Sequence, residues 1–193
     1  MDSRIALLAG VLTLALSSCS QVWAPEEKAI IDGEGVMKVY TIDSQSDSVL
    51  LRTPSVDITK AELRSRLYPV LADRMVQTVT SPEQDGVGIA GPQVGLLRRI
   101  VAVQRLDKPG EPFEVYPNIR IVAKRGDLEL GAEGCLSVPG RRGKVRRYRD
   151  IDIQYTSPKS LNDTLETVLG FTAVIFQHEC DHLDGVLYID KVE

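Results

Sequence analysis

The sequence predicts an α+β domain in which mixed or antiparallel strands pack around a C-terminal helix, and three observations lead to this prediction. Apolar residues recur at three- and four-residue spacing near residues 59–79 and 171–183, which is typical of helices with one buried face. Five segments between these helices are rich in β-branched and aromatic residues, as strands are. The predicted strands do not alternate with helices, so we expect no parallel sheet of βαβ units.

The elements follow one another in a simple order. Thr59-Lys60-Ala61-Glu62 has the form of a capping box, so the first helix is expected to begin at about residue 59 and to continue to residue 79. A glycine-rich loop, Gly86–Gln93, comes next. Strands are predicted at Ile100–Gln104, Phe113–Tyr116, Ile119–Val122, Ile151–Tyr155 and Leu165–Leu169. The last helix is predicted over Phe171–Leu183.

Length and composition restrict the class of protein. The chain has 193 residues, of which 43% are hydrophobic and 26% are charged, so it can form one domain with a substantial core. A net charge of −4 argues against non-specific binding of nucleic acid. Three cysteines are too few for a disulfide-based scaffold of this length.

Residues 1–19 are expected to form a lipoprotein signal peptide. The segment Ile5–Leu16 is uncharged and shorter than the roughly 20 residues that a membrane-spanning helix needs, but it has the length of a signal-peptide core. Leu16-Ser17-Ser18-Cys19 resembles the bacterial lipobox, which predicts a lipid anchor at Cys19. A buried helix or a translated upstream extension is the alternative interpretation.

Residues 20–48 are polar and weakly patterned, so a tether or loosely packed arm is expected there, followed by a catalytic domain at 49–193. The localisation has two alternatives. A lipidated Cys19 would hold the protein on the exported side of a membrane, whereas translation from Met37 would remove the signal and leave a cytoplasmic protein.

The only two histidines of the chain, His178 and His182, lie in the sequence His-Glu-Cys-Asp-His. Residues four apart share one face of a helix, so both imidazoles can reach one metal ion, with Glu179 beside it as a base. Two surface histidines beside an acidic pair would be the alternative. The pattern favours a metal site.

A catalytic metal site usually has three protein ligands and one open position. Too little chain follows His182 to supply the third ligand, so it is expected upstream, and Cys135 in a glycine-bounded loop or strand end is the best candidate. Its thiolate suits a metal such as zinc or iron(II). Cys180 has no assigned role.

Phe171, Val174 and Ile175 lie seven, four and three residues before His178, on the same helix face. Core packing explains part of this apolar strip. The strip is also suited to bind an unbranched apolar side chain beside the metal.

Three segments together resemble, in order, the signature motifs of the peptide deformylase family: Gly86–Gln93, Glu133–Ser137 and Gln177–Gly185. The resemblance covers residues 49–193. It implies a hydrolase that removes the N-formyl group from the formyl-methionine of new bacterial polypeptides. The implied cofactor is one divalent ion, iron(II) above all, with zinc, nickel or cobalt as substitutes. We expect a monomer acting on N-formylated peptides and nascent chains.

The resemblance implies a role for each matching residue of the metal site. Cys135, His178 and His182 would be the ligands. Glu179 would be the general acid and base, which is the proton-transfer role that amide hydrolysis requires.

The resemblance also implies the residues that bind substrate. Gln93 and the backbone N–H of Leu136 would donate to the oxyanion, and Val87 and Gly88 would offer backbone hydrogen bonds to the peptide. Gly91 departs from the family, which more often has alanine there. This glycine is expected to add loop freedom without removing a reacting group.

Two other functions stay open at this point. One is an exported amidase or peptidase of the same fold that acts on a different, extracytoplasmic substrate. The other is a non-catalytic lipoprotein that binds metal or peptide. The presence of Glu179 argues against the second, because a binding protein needs no acid/base residue.

The run Arg141–Arg149 holds six positive charges and could contact ribosomal RNA, although a solvated loop and strand is the favoured interpretation. Arg142 is an expected partner of Glu133, which would brace the segment that carries Cys135. Asp181 is expected either to orient a ligand or to be solvated.

Overall fold

The computed structural model describes residues 22–193, so the predicted signal peptide and Cys19 lie outside the described residues. The helices are α1 (Pro25–Ile31), α2 (Gln45–Leu51), α3 (Lys60–Leu63), α4 (Leu67–Val79) and α5 (Gly170–Leu183). The strands are β1 (Gly88–Ala90), β2 (Ile100–Gln104), β3 (Phe113–Pro117), β4 (Arg120–Arg125), β5 (Glu129–Cys135), β6 (Val138–Arg147), β7 (Asp150–Thr156) and β8 (Asp163–Leu169). Short 3₁₀ turns cover Gly91–Val94 and Tyr188–Asp190. Among the helices of residues 22–193, none has the length and apolar character needed to cross a membrane.

The strands form three antiparallel sheets, in the orders β1-β2-β3, β4-β7-β8 and β5-β6. Helix α5 packs against the first two sheets, and its Phe176 and Leu183 are buried in one apolar cluster with Val101 of β2 and Ile153 of β7. A second cluster is built around Leu71 and Met75 of α4. The predicted α+β class, with antiparallel strands around a C-terminal helix, is confirmed.

The single helix expected over 59–79 is two helices, α3 and α4, separated at residues 64–66. The capping box is present: Thr59 Oγ1 accepts from the Glu62 N–H at 3.2 Å, and the Glu62 carboxylate accepts from the Thr59 N–H at 2.6 Å. Ser65 Oγ then donates to the Glu62 carbonyl at 2.7 Å and accepts from the indole N–H of Trp23 at 2.9 Å. This side chain competes with the helical backbone bonds, and the helix ends there.

Three strands were missed by the sequence pattern. The glycine-rich loop contains β1, and β5 and β6 form a long hairpin whose register pairs Glu133 with Gly143 and Gly134 with Arg142. Cys135 is the last residue of β5, at a register irregularity between Gly134 and Cys135. Glycine has low strand propensity, so this glycine-containing hairpin depends on pairing that local sequence does not reveal.

The residues expected to form a tether are folded onto the domain. Trp23 is 1% exposed, and Ile31 and Met37 are also buried, all three in the apolar cluster of Leu71 and Met75. At these three positions the described residues 22–48 are packed more closely than a tether or loosely packed arm would be. A few widely spaced apolar side chains anchor a segment whose average composition is polar, and an average over the segment hides them.

Candidate active site

Three side chains predicted as metal ligands converge at one point. Helix α5 carries His178 and His182, and the end of β5 carries Cys135. One ligand atom from each of the three residues lies within 4.8 Å of the other two, and Cys135 Sγ is 3.1 Å from His182 Nε2. The site fits a soft divalent ion, because a thiolate and two imidazoles are the donors that zinc and iron(II) accept.

The orientation of His178 is fixed by Glu133. The distance between His178 Nδ1 and Glu133 Oε2 is 2.8 Å, which leaves Nε2 free for a metal. Hydrogen bonds of this kind between a carboxylate and a ligating histidine set the ring orientation and raise ligand basicity. The Tyr188 ring stacks on the His178 imidazole, with ring centroids 6.0 Å apart.

Glu133 is held by Arg147, which corrects the expected pairing with Arg142. Arg147 Nε and Nη2 donate to the two Glu133 carboxylate oxygens at 2.7 and 3.0 Å. Successive side chains of a strand point to opposite faces. Arg147 and Val145 are buried on the inner face of β6, whereas Arg142 is exposed.

Asp181 joins this network and is not a freely solvated acid. Arg147 Nη1 donates to Asp181 Oδ2 at 2.5 Å, and Lys191 Nζ contacts both carboxylate oxygens at 2.7 and 2.6 Å. Arg147 therefore ties the hairpin that carries Cys135 to the helix that carries the two histidines.

The two glutamates of the site have opposite pKa shifts. Burial opposes the charge of Glu133, but hydrogen bonds with His178 and Arg147 outweigh it and lower its pKa to about 2. Burial dominates at Glu179, which is 3% exposed, and raises its pKa to about 7. Among residues 22–193, Glu179 Oε2 has no hydrogen-bond partner. One carboxylate is thus fixed as an anion, and the other is suited to exchange protons at neutral pH.

Cys180 lies on the buried side of α5 and stays outside this chemistry. Burial raises the pKa of its thiol to about 12, so the sulfur is a neutral core atom.

Gln93 is 1% exposed and its carboxamide is fixed at both ends. Its Oε1 accepts from the Ala90 N–H at 2.8 Å, which directs Nε2 toward Cys135 Sγ at 3.6 Å. Leu136 directly follows Cys135 and lines the same cavity. Both predicted oxyanion donors are therefore next to the ligand cluster, and their roles stay predictions.

A cavity of about 910 Å³ opens beside the cluster. All five residues predicted to bind substrate line it, together with Cys135, His178 and Glu179: Val87, Gly88, Phe171, Val174 and Ile175. Ile175 also belongs to the core cluster, as the alternative of core packing predicts, whereas Phe171 is 48% exposed at the cavity. The apolar strip therefore lines the cavity and, at Ile175, also belongs to the core, and its role in binding substrate stays a prediction.

Two glycines permit close approaches at this site. A Cβ on Gly88 would lie 2.6 Å from Glu179 Oε1, so only glycine leaves room for that carboxylate. A Cβ on Gly91 would lie 2.4 Å from the Arg98 carbonyl oxygen. Gly91 is buried in a 3₁₀ turn, which corrects the expectation that it adds loop freedom.

The basic run 141–149 is not a uniform basic surface. Arg146 pairs with Glu193, and Arg149 pairs with Glu129. Within the described part of the chain, Arg141 and Arg142 have no carboxylate within 4.0 Å, and both line the cavity.

Sequence reasoning missed Arg147, Lys191 and Tyr188 as parts of the site. The sequence does not distinguish Arg147 from the other basic residues of the run 141–149. The β5–β6 register does, because it decides which face of β6 each side chain is on. Glu133 was visible as part of the second motif, but its partner on the opposite strand was not.

A buried, protonatable glutamate beside a Cys/His/His cluster at the base of a cavity defines a metal-dependent hydrolase. The sequence profile of the family described as polypeptide deformylase matches residues 36–193. The chain belongs to the peptide deformylase family, and it is a hydrolase that removes the N-formyl group from nascent peptides.

Relatives and solved structures agree with this assignment. The chain is 40% identical to the peptide deformylase of Finegoldia magna over 136 residues, which cover 67% of this chain and 81% of the relative. It is 44% identical to peptide deformylase 2 of Nostoc sp. over 129 residues, covering 64% and 70% of the two chains. The class I type b peptide deformylase of Acinetobacter baumannii with Met-Ala-Ser bound superposes with a TM-score of 0.72 at 32% identity, covering 83% of this chain and all of that one. These similarities give no support to the exported amidase or the binding lipoprotein.

Proposed function

We propose that this deformylase holds one iron(II) ion with Cys135, His178 and His182 and uses Glu179 to move the proton in hydrolysis. The observation that carries the proposal is the convergence of the three ligand atoms within 4.8 Å, beside a buried carboxylate oxygen that has no partner among the described residues. Zinc, nickel and cobalt are the expected substitutes. A bound divalent ion would supply Lewis acidity, lowering the pKa of water and polarising the formyl oxygen.

Glu179 is suited to act first as a base and then as an acid. Its pKa of about 7 allows it to take a proton from the water that attacks the formyl carbon. It then gives this proton to the departing amine nitrogen, the C–N bond breaks, and formate and a free peptide amine leave. Gly88 keeps the space beside the carboxylate open.

Gln93 and Leu136 would stabilise the charge that develops on the formyl oxygen. Gln93 Nε2 is aimed at the ligand cluster because Oε1 is occupied by the Ala90 N–H. A neutral amide donor fixed in this way lowers the barrier by about 2.7–4 kcal/mol in comparable oxyanion sites.

The substrate would lie extended along β1. This strand is at the edge of its sheet, and its residues Gly88–Ala90 pair with β2 on one side only, so its free edge at Gly88 is available to a peptide. The Val87 carbonyl already accepts from the Gln104 N–H at 2.8 Å. Phe171, Val174 and Ile175 would contact the first side chain of the peptide, for which an unbranched methionine fits an apolar strip.

Formate release from formyl-Met-Ala-Ser by the purified, iron-loaded full chain tests this function. We expect Glu179→Gln to remove nearly all activity while retaining metal, because the ligands are untouched. Glu111→Gln is a matched control, since Glu111 is exposed and lies outside the cavity. Wild-type activity in Glu179→Gln would contradict the assigned role.

We also propose that the functional chain begins upstream of Trp23. The Met37 N–H donates to the buried Thr78 Oγ1 at 2.9 Å, so a charged terminal amine at Met37 would be buried there. Starting at Met37 would also leave Arg74, which is 9% exposed, without its carbonyl partners Ile31 and Gly35. Mass spectrometry of the native N-terminus tests this: a first residue before Trp23 supports the proposal, and a first residue at Met37 contradicts it.

We propose that the enzyme is a monomer and that its Arg141 and Arg142 contact ribosomal RNA. Among the described residues, these two guanidinium groups have no carboxylate within 4.0 Å, whereas Arg146 and Arg149 of the same run are paired. Co-sedimentation with ribosomes should weaken steeply with salt, and Arg141→Ala with Arg142→Ala should weaken it further. Salt-independent binding, or no binding, would contradict the proposal.

A further inference from the structure

Residues 22–36, called the stem here, dock on the domain although they lie almost entirely before residue 36, where the family match begins. Trp23 is 1% exposed and donates to Ser65 Oγ at 2.9 Å. Arg74 of α4 donates to the carbonyl oxygens of Ile31 and Gly35, each at 3.0 Å. The stem is therefore attached by both apolar packing and hydrogen bonds.

The stem also contributes a partner to Arg98. Arg98 Nε and Nη2 donate to the two oxygens of Glu27 at 2.6 and 3.0 Å, and Nη2 is 2.8 Å from Glu62 Oε1. The guanidinium lies 5.4 Å from the Trp23 ring centroid. Its side chain is only 15% exposed, so this two-point contact is stronger than a surface ion pair.

The main chain of Arg98 packs closely against the turn that carries Gln93. Its carbonyl oxygen would lie 2.4 Å from a Cβ on Gly91, and the Leu96 carbonyl would lie 2.8 Å from the same atom. The Leu96 N–H in turn donates to the Gly91 carbonyl at 2.9 Å. Gly91 begins the 3₁₀ turn, and Gln93 is two residues further along it.

Two features of the chain therefore meet at one residue. The stem precedes the family match, and Gly91 has no room for a Cβ. Arg98 contacts the stem through its side chain and Gly91 through its backbone.

We propose that Glu27 is a positioning residue for Gln93: by holding Arg98, the stem keeps residues 96–98 against Gly91 and thereby fixes the turn that aims the Gln93 carboxamide. The proposal rests on the role of Gln93 as an oxyanion donor proposed above. Loss of the Glu27 contact would let residues 96–98 relax and move the carboxamide, while the metal ligands, the apolar strip and Glu179 stay in place.

A double-mutant cycle on the full, metal-loaded chain tests this. Glu27→Gln should lower kcat for formyl-Met-Ala-Ser by about fivefold with little change in KM, because displacing a catalytic group by a fraction of an ångström has effects of this order. In a Gln93→Ala background the same change should lower kcat by less than about twofold, because the group that it positions is absent. Glu26→Gln is the matched control, since Glu26 is the exposed neighbour on α1 and has no ion pair within the described chain.

The fluorescence of Trp23, the only tryptophan of the chain, reports separately whether the stem remains docked in each variant. Unchanged kcat in Glu27→Gln, or an equal fractional loss in both backgrounds, would overturn the positioning role. If Gln93→Ala itself leaves kcat unchanged, the oxyanion role fails and the inference fails with it. If Gln93→Ala lowers kcat and Glu27→Gln does not, the inference alone fails.

Discussion

Replacing Gly88 by alanine tests the geometry of the acid/base directly. The added Cβ would lie 2.6 Å from Glu179 Oε1 and 2.8 Å from Ile175 Cγ2. Gly88 does not have a positive φ, so alanine can adopt its backbone conformation without strain. The perturbation is therefore confined to the contact between the methyl group and the site.

The size of the effect follows from the displacement. To restore an ordinary contact of 3.4 Å, the Glu179 carboxylate would have to retreat by about 0.8 Å, and a shift near 1 Å costs about 10²-fold in rate. Overpacking against Ile175 adds about 1–3 kcal/mol of destabilisation. We expect kcat to fall about 100-fold and the fold to be retained.

The assay is formate release from formyl-Met-Ala-Ser, with thermal unfolding and metal content measured on the same preparations. Gly131→Ala is the matched control, because its Cβ would have no neighbour closer than 3.9 Å. It should keep activity within about twofold, as expected for a change that touches nothing. A fully active Gly88→Ala with wild-type stability would refute the placement of Glu179 or its role.

Three further predictions concern metal retention and stability. Arg147→Met should weaken metal binding by about 10- to 100-fold in competition with a chelator, because it frees Glu133, whereas Arg146→Met on the exposed face should not. Removing the metal with a chelator should abolish formate release and lower the melting temperature. Adding metal back at about 100 times its Kd should restore about 2.7 kcal/mol to the free energy of unfolding. A melting temperature that does not depend on metal would contradict the site. Arg105 is buried, and its hydrogen bond to Asp107 lowers the pKa of that carboxyl. At Glu114 burial raises the pKa, but Lys108 and Arg105 together contribute to a net lowering. A depressed carboxyl pKa contributes stability that is complete above the unfolded-state pKa near 4 and is lost as the pH falls through the folded-state value. In urea unfolding, Arg105→Met should therefore cost about 3 kcal/mol at pH 7 and clearly less below pH 4, and a cost that does not depend on pH would contradict this.

The sequence predicted those parts of the fold that local patterns determine. Helix α5 and the strands β2, β3, β7 and β8 have strong periodicity or β-branched content, and each was located to within about two residues. The ligand cluster was also predicted, because His178 and His182 are fixed by helical spacing and the motif that contains Cys135 resembles a known family. The antiparallel sheets pack around helix α5, as expected.

The parts that were missed depend on contacts distant in sequence. The break between α3 and α4 lies at Ser65, whose hydroxyl bonds the Glu62 carbonyl and also accepts from Trp23, 42 positions away in the chain. The polar composition of residues 20–48 predicts a tether or loosely packed arm, because Trp23 and Ile31 are isolated apolar residues in a polar segment. The pairing of Glu133 with Arg147 depends on the face of β6 to which each arginine points, and this face is known only once the strand register is known.

Arg147 is expected to influence metal preference although it is not a ligand. Its guanidinium is bonded to Glu133 on the hairpin and to Asp181 on α5, so it links the strand that ends at Cys135 to the helix that carries the two imidazoles. Ions of different radius favour different distances between sulfur and nitrogen donors. Substitutions that lengthen or shorten this one bridge would alter metal selectivity while the three donors stay the same, so selectivity can evolve at a residue that the substrate never touches.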